Sequence, residues 1–179
     1  MKICSLCILT ALIATSGGMR HLRAQELEDE PAITARVHGT FLDRAAGLGV
    51  LSGDMTIVRF EVRNRTVTAI GRIVGALADS GGDVLGPVNQ ELAVAVGNIE
   101  STCNQLRMDL AATDAEVLDM PVHFDGEVAG FDSRDGGAPK ALGPLCTAGK
   151  LLEGKPTPDA VAQALNDVVA TLKTASVRR

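Results

Sequence analysis

The sequence predicts an α+β fold: mainly antiparallel β-sheet, or a partly closed barrel or sandwich, followed by two C-terminal helices. Three observations carry that expectation. From Ile33 apolar residues recur at every second position. Two such runs flank Asn64-Arg65 with inward residues that match in register. From Leu145 the apolar spacing lengthens to three and four. Strand-type runs followed by helix-type runs indicate segregated layers rather than βαβ alternation.

The elements follow in order. Ile33, Ala35, Val37, Gly39 and Phe41 share one face and Thr34, Arg36, His38 and Thr40 the other, a half-buried strand. Residues 43–53, with Gly47, Gly49 and Gly53, read as a loop. Thr56, Val58, Phe60 and Val62 then alternate with Ile57, Arg59, Glu61 and Arg63. Val67, Ala69, Gly71 and Ile73 alternate with Thr66, Thr68, Ile70 and Arg72. A two-residue turn at Asn64-Arg65 sets Val62 opposite Val67, Phe60 opposite Ala69 and Val58 opposite Gly71, so inward residues meet inward partners. Turns are expected at residues 79–83, at Gly86-Pro87 and around Gly97-Asn98. Between and after them, strands are read at Leu92, Val94 and Val96, at Leu106, Met108 and Leu110, and at Val122, Phe124 and Val128. Gly136-Gly137-Ala138-Pro139 ends the β-rich part. A first helix opens at Gly143-Pro144, with Pro at the first helical position, and stops at Gly154. A second spans residues 158–173, with Thr157 as N-cap, Asp159 in the first turn, Lys173 near the end, and a stripe of Val161, Leu165, Val168 and Leu172.

Ahead of the domain stands a leader. Met1-Lys2, an apolar stretch from Ile3 to Ala14 and the small residues Thr15, Ser16, Gly17 and Gly18 match a secretory signal peptide, too short for the ~20 residues of a spanning helix. Cleavage is expected after Ala24, with Ser16 the other candidate. Residues 1–24 are therefore assigned to the signal, 25–32 to an acidic arm, and 33–175 to a single exported β-rich domain. No transmembrane segment is expected after signal removal, and the destination is periplasmic or extracellular. Cleavage would remove Cys4 and Cys7 and leave Cys103 and Cys146 as the only pair, which in an exported domain reads as one disulfide. Closing a loop of about 44 residues is worth roughly 4 kcal/mol in the chain-entropy model.

Composition excludes several classes. With Lys2, Arg20 and Arg23 gone, 17 basic residues become 14 against 22 acidic, a net charge of −8 that repels phosphate backbones. There is no Trp or Tyr, and only Phe41, Phe60, Phe124 and Phe131 are aromatic. A chain so poor in rings has no stacking platform for single strands and few of the anchors of a protein hot spot. Nucleic acid is not expected as a partner.

Candidate chemistry is sparse. Asp125, Glu127, Asp132 and Asp135 precede Gly136-Gly137, and oxygen ligands near a glycine turn suit a hard cation. EF-hand spacing is absent, so no metal is assigned and these four stand only as candidates. No other cofactor is expected. His38 and His123 fall on the outward sides of strands, no G-x-S-x-G elbow is present, and no phosphate loop follows the glycines at residues 47–53. No catalytic residue is assigned and the chain is read as non-enzymatic.

One stretch carries a resemblance. Cys103 is followed by Leu106, Met108 and Leu110, then Leu118, Val122 and Phe124, then Gly136-Gly137. Gly143-Pro144-Leu145-Cys146 and Leu151-Leu152-Glu153-Gly154 close it. This resembles a group of exported bacterial proteins of uncharacterised function with a C-x-x-L-x-L-x-L … G-x-L-C-x-x-x-x-L-L pattern. Met108 replaces the usual Leu, and Pro144 and Lys150 interrupt a more apolar helix. The resemblance implies export and pairing of Cys103 with Cys146, and brings no catalytic residue. The expected function is an interaction or structural module of the cell envelope, its partner an unknown envelope protein. The alternative is a carrier of an apolar ligand between sheet and helices. A hydrolase is the third reading.

Overall fold

A computed structural model describes residues 32–134 and 139–176. The expected leader, residues 25–31 of the arm, Asp135 and the Gly136-Gly137-Ala138 turn lie outside the described residues. Eight strands run in chain order: β1 Thr34–Leu42, β2 Leu48–Arg63, β3 Thr66–Ala78, β4 Val84–Ser101, β5 Gln105–Leu110, β6 Thr113–Val117, β7 Met120–Phe124 and β8 Glu127–Asp132. A single 3-10 turn, Pro139–Ala141, leads into α1 Leu142–Leu152 and then α2 Pro158–Ser176. The fold is α+β, a mostly antiparallel sheet followed by two C-terminal helices.

The sheet order is β2-β3-β4-β5-β8-β1-β7-β6, and β1 also pairs with β2, so the meander returns on itself as a ring. β5 and β6 act as one interrupted arm and β7 and β8 as its partner. Gln105↔Asp132 through Leu110↔Glu127 continues beyond the break as Thr113↔Phe124 to Val117↔Met120. β1 meets both halves of the second arm, at Thr34↔Gly130 and at Gly39↔Phe124. The interior is filled by Phe41, Leu51, Met55, Phe60, Ile73, Leu106, Met108, Val122, Phe124 and Phe131. Small residues make room for large ones: a Cβ on Gly71 would collide with the Met55 side chain.

The Asn64-Arg65 turn forms with φ of 50° and 63°, and Val62↔Val67 and Phe60↔Ala69 pair as the alternation predicts. Below Phe60 the prediction fails. The register shifts between Ile57 and Arg59, so Gly71 faces Ile57 rather than Val58, and Met55 and Ile57 turn inward in place of Thr56 and Val58. A bulge inserts one residue and so reverses every face beyond it. The same parity carries β2 back to Leu48, which makes Gly49 and Gly53 strand residues rather than loop. Gly53 stands opposite Gly75, each filling the space a Cβ on the other would need.

Three further expectations are corrected. Gly86-Pro87 lies inside β4, where Pro87 pairs with Ala76 on an edge that has no ladder on its other side. Gly97-Asn98 is a register shift within β4, between Val96 and Ile99, and the turn into β5 falls at residues 102–104. Val128 points outward, because the break at residues 125–126 changes parity and gives the interior to Ala129 and Phe131.

The helices close one end of the ring. α1 starts at Leu142, so Pro144 sits in its first turn rather than at its first position, where a missing N–H is still without consequence. In α2 the Thr157 hydroxyl accepts the Ala160 N–H at 3.3 Å, and Val161, Leu165, Val168 and Leu172 are buried. Because β1 begins at Thr34 opposite Thr56, with the Ile57 N–H still reaching Ile33 O at 2.9 Å, residues 58–63 of β2 have β3 on one edge and no strand on the other. α2 supplies the missing partners from side chains. Asn166 Oδ1 accepts the Phe60 N–H at 2.8 Å, Asn166 Nδ2 donates to Phe60 O at 2.9 Å, and Lys173 Nζ donates to Val58 O at 3.0 Å. An open strand edge is thereby covered. α1 is fastened separately: the Sγ atoms of Cys103, in the β4–β5 turn, and Cys146 lie 2.00 Å apart, a disulfide distance. Ser101 Oγ also donates to Leu145 O at 3.2 Å.

Two outcomes follow. Asn166→Ala leaves a part-buried N–H and C=O of Phe60 unpaired and should cost about 1–3 kcal/mol in urea denaturation. It should also speed hydrogen exchange at Phe60 above its strand neighbours. Cys146→Ser should lower stability by about 4 kcal/mol. A loss below about 1 kcal/mol, or no further loss on reducing the wild type, would contradict a stabilising bridge.

Candidate functional site: the open end of the ring

Opposite the helices, three strand connections meet at the other end of the ring: residues 43–47, 79–83 and 118–119. The first two are joined by one carboxylate. Asp43 accepts the backbone N–H groups of Ala45 at 2.9 Å and Gly47 at 2.8 Å within its own turn, and the Ser80 N–H at 3.0 Å and hydroxyl at 2.5 Å across the gap. These donors hold the Asp43 carboxyl at a pKa of about 2, the Ser80 hydroxyl contributing most. Asp79 shapes the second turn in the same way, its Oδ1 accepting Gly81 N and Asp83 N at 2.9 Å each. The Ser80 side chain occupies the space where Gly47 would carry a Cβ, so the two turns interlock.

Beside this polar knot lies a cleft of about 760 Å³, lined by Leu42, Arg44, Asp79, Leu85, Leu118 and Met120 among others. Its rim is aliphatic and open to solvent: Leu42 is 70% exposed, Leu118 50% and Leu85 47%. Leu48, opposite Leu42, and Val84, opposite Ala78, continue the apolar surface outward. The third turn adds strain. Leu118 and Asp119 have φ of 50° and 61°, a pair of positive values that Asn-Gly satisfies and a leucine does not. A branched side chain held there, half exposed over a cleft, is costly for folding and useful for contact.

The residues singled out from sequence do not come together. Glu127 Oε1 lies 2.9 Å from His38 Nδ1, and Asp132 is held by Arg134, which keeps its carboxyl at about 2. Asp125 is exposed, and Asp135 lies outside the described residues. Among the described residues no three His, Cys, Asp or Glu are placed to hold a metal ion. His123 Nδ1 lies 2.7 Å from Asp114 Oδ1 on the outer wall. The two imidazoles are each paired with a carboxylate, and no hydroxyl among the described residues hydrogen-bonds to either. A larger ion network spans the opposite wall: the Arg59 guanidinium crosses β3 to reach both oxygens of Glu91 at 3.1 Å and also bonds Glu61 at 2.8 Å. Those bonds raise the Arg59 pKa and lower those of Glu61 and Glu91, and Ile70, between Arg59 and Ala93 in register, is buried beneath them.

Sequence reasoning missed the open end. Its readable traces were Asp43 four residues before Gly47, and a Leu-Asp pair where a tight turn wants Asn-Gly. Comparison of the chain with protein-family models, with curated proteins and with solved structures gives no match. No helix among the described residues is long and apolar enough to cross a membrane.

Asp43→Asn tests the knot. A carboxyl whose pKa falls from 3.8 to about 2 on folding contributes stability that is complete above pH 4 and is lost as pH drops toward 2. The variant should melt lower than wild type at neutral pH, and the gap should shrink across pH 4 to 2 until the two coincide.

Proposed function

We propose that the protein is an exported, non-catalytic interaction module of the cell envelope, and that it makes contact through the open end of the ring. The observation that carries this reading is the gathering of Leu42, Leu48, Val84, Leu85 and Leu118, all solvent-exposed, at the one end the helices leave uncovered. Scattered surface leucines are ordinary, whereas a contiguous rim around a cleft marks a contact surface. Leu118 strengthens the case, because a branched side chain at positive φ is costly to hold and this one stands half exposed on that rim. The bridge-forming distance between Cys103 and Cys146 supports an oxidising compartment.

The carrier reading has its own support. A cleft of about 760 Å³ falls within the range that small-molecule sites occupy. The ligand would then sit at the open end and not, as the sequence reading has it, between sheet and helices. The space between α1 and α2, bounded by Ala148, Leu151 and Leu165, has no room for a water molecule.

The double variant Leu42→Lys, Leu118→Asn separates the readings, since Asn suits the turn and Lys suits an exposed strand position. It should fold at least as stably as wild type. In native mass spectrometry of protein isolated from its host envelope, wild type should retain a partner chain of defined mass that the variant loses. A retained small molecule, lost in the variant, favours the carrier. Wild type recovered bare, with the variant indistinguishable, refutes both.

A further inference from the structure

The ring is incomplete along one seam. β4 pairs with β3 from Ala78↔Val84 to Thr68↔Ala95, but β5 joins its other edge only from Val96. β6 pairs with β7 alone. Between residues 84–95 of β4 and β6 there is no ladder. A 3.0 Å hydrogen bond from Gln90 Nε2 to Glu116 O crosses the gap instead, and Leu118 folds over its top against Gly86.

The direction of the backbone groups along this seam can be worked out. Pro87 faces Ala76 and Pro121 faces Glu116. A residue without an N–H belongs at a non-hydrogen-bonded pair, and such pairs alternate with bonded ones. Asn89, Glu91 and Ala93 on β4, like Asp114 and Glu116 on β6, therefore turn both their N–H and C=O into the seam. Two bonds agree with this assignment: Glu116 O is the atom that Gln90 reaches, and Ala95 O, on the same alternation, accepts the Ala111 N–H at 2.9 Å where the seam ends. Pro87 blunts the β4 edge at one position and leaves the next three free to pair.

We infer that this seam binds one extended polypeptide segment of alternating apolar and basic residues, laid backbone to backbone along Asn89, Glu91 and Ala93 and facing Asp114 on the other side. The inference rests on the interaction-module reading and names the partner's chemistry. Donors and acceptors repeating along a strand edge are complementary to another extended backbone, and not to a lipid or a sugar. The upper end of the seam opens at Leu85 and Leu118, which would receive the segment's apolar side chains. Glu116 and Asp119 are exposed on the β6 side, with the Asp114 carboxylate beside them held by His123, so the alternate side chains should be cationic. The same acidity, with a net charge of −5 over the whole chain, disfavours a second copy as the occupant.

The test uses the intact oxidised protein and a capped peptide of alternating Val and Lys, about eight residues long, enough to span the edge. Fluorescence anisotropy should show saturable binding, and hydrogen exchange should slow at Asn89, Glu91 and Ala93. Methylating every second peptide nitrogen should cost at least about tenfold in affinity, as should Asp114→Pro, which removes a seam-facing N–H without touching the β6–β7 ladder. Asp114→Asn, which keeps that N–H, should cost less than about threefold. Equal binding of the methylated peptide, or equal losses in the two Asp114 variants, would reduce the effect to charge and overturn the inference. Should Asp114→Pro fail to fold, the methylated peptide decides alone. A host partner chain that survives Asp114→Pro but not the rim variant would leave the module standing and remove the seam from it.

Discussion

Pairing of β1 with β2 is the constraint on which the rest of the molecule depends. Nine residue pairs, from Thr34↔Thr56 to Leu42↔Leu48, turn a meander into a ring and so create an inside. Without that ladder the apolar faces of six other strands would be one side of an open sheet, with nothing among the described residues large enough to cover them. Closure also sets the problem that the helices solve. β1 is nine residues long and β2 sixteen, so pairing them leaves a stretch of β2 exposed at one end. α2 lies there because Asn166 can offer a carbonyl and an amide in the spacing a strand would offer, and because its apolar stripe plugs the ring below.

The two ends of the ring are built on different physics. At the helical end, apolar burial is reinforced by side-chain hydrogen bonds and by the Cys103–Cys146 bridge. At the open end nothing among the described residues forms a cap, and order comes from a carboxylate collecting four donors from two turns. Such a knot tolerates water, which lets the surrounding leucines stay exposed without loosening the turns that carry them. The strained Leu118 turn belongs to the same end, and it also folds over the top of the seam, so rim and seam share one residue.

Much of the fold was legible from periodicity. The β1 alternation, the Asn64-Arg65 turn, the Val62–Val67 and Phe60–Ala69 pairs and the α2 stripe all emerged from local sequence, because each is decided within one element or across one tight turn. The errors have a common cause. Val58, Gly97-Asn98 and residues 125–126 are places where a strand gains or loses a residue relative to its neighbour, and a period-two reading has no means of detecting the slip. Gly49, Gly53 and Gly86 were misread because glycine signals a turn in isolation. Here it marks close approach within a strand, to Phe41, to Gly75 and to Leu118.

The candidate site was hardly legible at all. A carboxylate cluster at residues 125–135 looked like the best chemistry because its members are near one another in the chain, yet of the described ones Glu127 turns to His38 and Asp132 to Arg134. The open end unites residues from 42 to 120, and no spacing rule links them. The sequence by itself determined which residues seek burial, where two turns must fall, how α2 is capped and that Cys103 and Cys146 are the two cysteines of the β-rich domain. Those are properties of a residue and its near neighbours. Only the tertiary structure decided that the meander closes, that one end is sealed and the other open, and that β4 and β6 part along a seam. Each of these depends on strand lengths and registers compared across the whole ring, a comparison that exists only once the chain has met itself.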